Sequence, residues 1–82
     1  MKAREFQKLR VAFGGALRKF RLKAGLSQEQ LAALAGVHRN YVGDVERAEE
    51  NISLVNILRF CHALEIPLSR LVAQMEKDLQ SP

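Results

Sequence analysis

Ser27 to Arg47, SQEQLAALAGVHRNYVGDVER, is the stretch that leaves this chain the fewest folds to choose from. Ser27 followed three residues later by Gln30 makes a capping box, in which each side chain satisfies a backbone N–H at the helix start. Gln28 to Ala35 are mostly good helix formers. Gly36 stops that helix, because glycine enters the left-handed region without a Cβ penalty. A second helical period follows at once. Tyr41, Val42 and Val45 recur on one side, with Arg39, Asn40, Gly43 and Asp44 towards the other. Ala32, Gly36, Val42 and Val45 fall where two steeply crossed helices need small, small, apolar and apolar residues. A second helix clamped this way keeps its N-terminal outer face free, which is the geometry of a helix-turn-helix.

The flanks predict three more helices and no strand. Phe6, Leu9, Phe13, Leu17, Phe20 and Ala24 sit at helical spacing, so one long first helix is expected, with residues 1–5 loose or frayed. Gly14 and Gly15 each cost it about 1 kcal/mol relative to alanine. Gly25 ends it, and Arg21 and Lys23 in its last turn suit the helix dipole. Ser53 can cap a fourth helix with Leu54, Ile57, Leu58, Cys61 and Leu64 on one face. Pro67 fits the first turn of a fifth, which carries Leu68, Leu71, Val72 and Met75. An 82-residue chain is one domain with a marginal core, and a hydrophobic fraction of 48% is generous for it. Some apolar surface is therefore available to a partner.

Charge and composition narrow the function. The net charge is +4, unevenly spread: residues 1–45 carry nine basic and three acidic side chains, residues 46–82 four and six. A basic half beside an acidic half suits a polyanion on one side only; a solvated basic helix face is the plain alternative. The single cysteine, Cys61, allows no internal disulfide and reads as a small buried hydrophobe, consistent with a reducing cytoplasm. No run approaches the ~18 apolar residues of a membrane span. Neither His38 nor His62 has a second ligand at metal spacing, so no metal or cofactor is expected. Paired catalytic carboxylates, a Cys/His arrangement and a Gly-rich phosphate loop are all missing, which argues against an enzyme.

Phe13-Gly14, Leu17-Arg18, Arg21, Gly25 to Ala32, Ala35-Gly36-Val37, Tyr41-Val42 and Val45-Glu46-Arg47 together resemble the Cro/C1-type (XRE) helix-turn-helix family. Asn51 to Leu54 and Ala63 to Pro67 are similar to the controller proteins of bacterial restriction–modification systems. The resemblance covers residues 11–77. It implies an all-α, five-helix, lambda-repressor-like DNA-binding domain, with residues 1–10 as an extension or first-helix lead-in and 78–82 as a frayed tail. It also implies a homodimer on a palindromic operator that regulates its own gene. A phage-type or other small repressor, or the antitoxin of a toxin–antitoxin pair, is the alternative.

The candidate base-reading residues are Arg39, Asn40, Tyr41 and Asp44. A guanidinium can give two hydrogen bonds to guanine, worth about 1–3 kcal/mol of discrimination; a phosphate contact is the other use of Arg39. Asn40 can read adenine or simply start the helix. Asp44 can accept from cytosine or buttress Arg39. Tyr41 can lay its ring on a thymine methyl with its hydroxyl on a phosphate, or pack inward. Gln28, His38, Arg47, Asn51 and Ser53 are candidate phosphate contacts, with capping as the alternative for His38. In the family an ion pair ties the first helix to the third, and Arg21 and Glu46 match it. Controller-like relatives often carry a basic residue after the third helix; Glu49-Glu50 stand there, so minor-groove insertion from that loop is not expected. Lys2, Arg4 and Lys8, on an N-terminal arm, are the remaining candidates for that contact, and no motif assigns it to them. Phe60, Leu68, Leu71, Val72 and Met75 are the expected dimer surface, with closure of the monomer core as the alternative. Candidate partners are duplex DNA, a second copy and RNA polymerase; no small-molecule effector is expected.

Overall fold

The computed structural model describes residues 1–80 and is built of five helices: α1 (Ala3–Lys23), α2 (Gln28–Ala35), α3 (Arg39–Glu46), α4 (Leu54–Leu64) and α5 (Leu68–Gln80). The capping box forms as the pattern requires. Ser27 Oγ accepts from the Gln30 backbone N–H at 3.0 Å, and Gln30 Oε1 accepts from the Ser27 N–H at 2.8 Å. The first four helices all end in a left-handed residue: Gly25, Gly36, Ala48 and Glu65. In each case the next N–H reaches back into the last turn, as Val37 does to the Ala32 carbonyl at 3.0 Å. Glycine suits two of these turns; Ala48 and Glu65 adopt the same conformation against their own sterics.

Phe13, Ala16 and Leu17 of α1, Leu31, Ala32 and Ala35 of α2, and Val42 and Val45 of α3 meet Phe60, Cys61, Leu64 and Leu71 in one core. Burial pushes the Cys61 thiol up, which keeps it an inert packing group. The structure corrects two of the expected dimer residues. Phe60 and Leu71 are fully buried in the chain's own core and have no surface to offer a partner. Leu68 and Met75 are half-buried and pack on the same core, and Val72 is half-buried. The apolar stripe of α4 is instead wider than the core can cover. Its outer edge leaves Leu54 64%, Val55 60% and Leu58 47% exposed, with Leu34 of α2 at 60%.

α1 begins at Ala3, so Arg4 and Lys8 are carried on a helix rather than on a free arm. It also runs unbroken through Gly14 and Gly15. A Cβ on Gly14 would lie 2.5 Å from the Val45 carbonyl oxygen and 2.8 Å from that of Glu46. α1 therefore presses backbone to backbone against the end of α3, and only glycine permits it. α5 continues through Asp78 to Gln80, past the 77/78 boundary expected for a loose tail. Asp78 Oδ1 accepts from Lys19 Nζ at 2.9 Å and from Gln74 at 3.0 Å, which ties the end of α5 to α1. The Lys19 ammonium holds the Asp78 carboxyl below the usual carboxylate range. Residues 81–82 of the expected tail lie outside the described residues.

Candidate nucleic-acid interface

α3 is held at both ends and along its inner side. His38 caps its start, with Nδ1 accepting from the Asn40 N–H at 3.1 Å. Val42 and Val45 plug into the core. Arg59 of α4 donates to the Gly36 carbonyl at 3.1 Å and closes the α2–α3 corner from behind. At the far end Arg21 Nε donates to Glu46 Oε2 at 2.6 Å, and Arg21 Nη2 to Glu46 Oε1 at 3.0 Å. Only 7% of Arg21 is exposed. The Glu46 carboxylate holds its guanidinium charged, above its ordinary value. The two charges compensate in a site largely closed to water, so neither is dispensable alone.

That clamp reaches into the candidate contact surface. Gln28 Nε2 donates to Glu46 Oε1 at 3.1 Å, so the first residue of α2 is oriented by the last residue of α3. Gln28 still has a second amide proton for an anion. Gly43, placed by periodicity on the outer side, is buried beneath Arg47 and Gln28: a Cβ there would meet Arg47 Nη1 at 2.9 Å.

The expected base-reading residues divide in two. Arg39 and Asn40 are exposed at the start of α3, and the Arg39 side chain has no partner among the described residues. Asp44, by contrast, accepts from Arg47 Nη2 at 2.7 Å, so it buttresses Arg47 and not Arg39. Tyr41 is half-buried. Its ring stacks on Phe60 with centroids 6.2 Å apart, and its hydroxyl accepts from Asn56 Nδ2 at 3.2 Å.

Among the expected phosphate contacts, Arg47 is held by Asp44 and by Glu49, the latter at 3.2 Å. Glu49, then Asp44, keep its guanidinium charged. Nη1 of Arg47 makes no hydrogen bond among the described residues, so the guanidinium keeps donors for an anion while these carboxylates stay in place. Asn51 Oδ1 accepts from Arg10 Nη1 at 2.7 Å, which pins the α3–α4 connection to α1. Ser53 caps α4, its Oγ accepting from the Asn56 N–H at 3.1 Å. Arg10, Asn56 and Arg59 were not legible as site residues. Each acts through a partner more than a dozen positions away, and no helical period marks such a pair.

The helix-turn-helix family model matches residues 17–71, which includes all of α2, α3 and α4. The control protein C.MunI of Mycoplasma sp is 38% identical over 71 residues, covering 85% of this chain and 96% of that protein. The control protein C.SmaI of Serratia marcescens is 35% identical over 69 residues, 84% of this chain and 82% of that one. The crystal structure of the restriction–modification controller protein C.AhdI from Aeromonas hydrophila is 53% identical. It superposes with a TM-score of 0.74 over 76% of this chain and 94% of that one. No helix among the described residues is long and apolar enough to cross a membrane. The chain belongs to the Cro/C1-type (XRE) helix-turn-helix family of DNA-binding transcriptional regulators, in the group that includes the controller proteins of restriction–modification systems.

Proposed function

We propose that the chain binds a palindromic operator as a homodimer, recognises its sequence, and regulates its own gene within a restriction–modification system. The observation that carries this reading is the free outer end of α3. Arg39 and Asn40 project from a helix that is capped at His38, plugged by Val42 and Val45 and clamped at Glu46. Rigid placement is what base reading needs, because a bidentate pair tolerates little displacement. Arg39 reads guanine, Asn40 reads adenine, and Tyr41 sets its ring on a thymine methyl. Asp44 contributes by holding Arg47. Gln28, His38, Arg47, Asn51 and Ser53 line the helix starts and connections on either side of α3 and take the phosphates, which fix register.

One such helix spans only a few base pairs, so two copies are required, with half-sites about 34–36 Å apart. The exposed leucines and valine of α4, with Leu34 of α2, are the surface best suited to the second copy. Burying them costs neither copy its core. The substitution Leu58→Lys is expected to leave the fold intact, since the side chain is already 47% exposed. It should weaken self-association at least tenfold by sedimentation equilibrium. An unchanged association constant would place the dimer contact elsewhere.

The reading as a whole is tested by footprinting the DNA upstream of the chain's own gene. Two protected half-sites about one helical turn apart are expected. Protection of a single half-site at every protein concentration would contradict the dimer.

A further inference from the structure

Tyr41 is the candidate base-reading residue that α4 holds from behind. Its ring lies nearly parallel to that of Phe60, with an interplanar angle of 17°, and Phe60 is fully buried. The ring therefore has a fixed seat. Its hydroxyl is engaged too, accepting from Asn56 Nδ2 at 3.2 Å across fifteen positions of sequence. Asn56 is half-buried in the first turn of α4, and its own backbone N–H is held by Ser53 Oγ. Both ends of the contact thus sit on anchored backbone.

A phenolic hydroxyl has one proton to give and lone pairs to accept with. Asn56 donates to the oxygen, and no described residue accepts the proton. We infer that Asn56 is a positioning residue that sets the polarity of the Tyr41 hydroxyl, presenting it to DNA as a hydrogen-bond donor. Tyr41 then selects an acceptor, either a phosphate oxygen or an acceptor on a base edge, and disfavours the amino groups of adenine and cytosine. The inference rests on the reading that Tyr41 faces DNA. It adds that a residue of α4, in no groove itself, decides what that hydroxyl can bind.

The test is a double-mutant cycle on the full chain, using the duplex that wild type selects from a randomised pool. Tyr41→Phe and Asn56→Ala should each weaken binding roughly threefold to tenfold, the worth of one hydrogen bond. The double variant should bind no more weakly than Tyr41→Phe, because Asn56 acts only through the hydroxyl. Asn56→Asp can only accept. It would draw the proton inward, turn lone pairs towards the DNA, and bind more weakly than Asn56→Ala. That gap should narrow on a Tyr41→Phe background. Losses that multiply in the double variant overturn the inference. So does Asn56→Ala binding as wild type while Tyr41→Phe is impaired, an outcome that leaves the Tyr41 reading standing. No effect of Tyr41→Phe removes that reading, and the inference with it. Circular dichroism establishes that each variant folds. Should Asn56→Ala not fold, Asn56→Asp against wild type, with and without Tyr41, supplies the same contrast. Repeating the selection with Tyr41→Phe separates the two acceptors. Loss of preference at one position means a base; uniform weakening means a phosphate.

Discussion

Gly14→Ala is expected to lower stability by about 2–3 kcal/mol, the scale of overpacking a tight contact, even though alanine gains about 1 kcal/mol in helix propensity. The reason is that the added carbon would lie 2.5 Å from the carbonyl oxygen of Val45. What it meets is backbone, so no rotamer change relieves it. In a domain of this size the melting temperature should fall by roughly 10–20 °C. Gly15→Ala is the internal control. Nothing lies within 4 Å of a Cβ there, so the same change one position on should raise stability by up to about 1 kcal/mol. Two thermal melts decide the matter. If the two variants shift in the same direction, α1 does not rest on the end of α3 as described.

Glu46→Ala is the second large effect. It strands the Arg21 guanidinium in a site where only 7% of the residue is exposed, with the Leu26 carbonyl as its remaining partner at 2.9 Å. Removing one member of a buried pair costs about 3–5 kcal/mol, a large share of what a small domain has. Glu46→Gln keeps the shape and one acceptor, so urea denaturation should place it between wild type and Glu46→Ala. An alanine variant as stable as wild type would mean that water reaches Arg21. Because Glu46 also orients Gln28, DNA binding of the folded fraction should weaken on every duplex alike.

The helix-turn-helix was legible because its signals are local. Ser27, Gln30 and Gly36 each act within four residues of themselves, and short-range chemistry survives in a one-dimensional pattern. The Arg21–Glu46 pairing came from family resemblance, since nothing in the spacing of those residues announces that they meet. Gly14 illustrates the opposite case. Counted along the chain it is a cost to α1; in three dimensions it is the condition for α1 to touch α3. Phe60 and Leu71 show a further limit. Periodicity identifies an apolar side chain on a helix face without saying whether its own chain or a second one covers it. Leu54 and Leu58 lie on the same stripe as Cys61 and Leu64, and only packing separates the exposed pair from the buried one. Asp44 and Arg47 are a pair in the structure because they lie three apart on the last turn of α3 and beyond it. The expectation of separate DNA roles passed over that neighbour relation.

If the free end of α3 reads base sequence, it does so through Arg39. Wild type and Arg39→Ala are to be measured against two duplexes, the operator and a random sequence, at one fixed salt concentration. Loss of a bidentate arginine–guanine contact should cost roughly 5- to 150-fold on the operator. Binding to the random duplex should persist and stay salt-sensitive, because the remaining phosphate contacts supply it. An equal loss on both duplexes would mean that Arg39 meets only the backbone, and that the sequence is read from another part of the molecule.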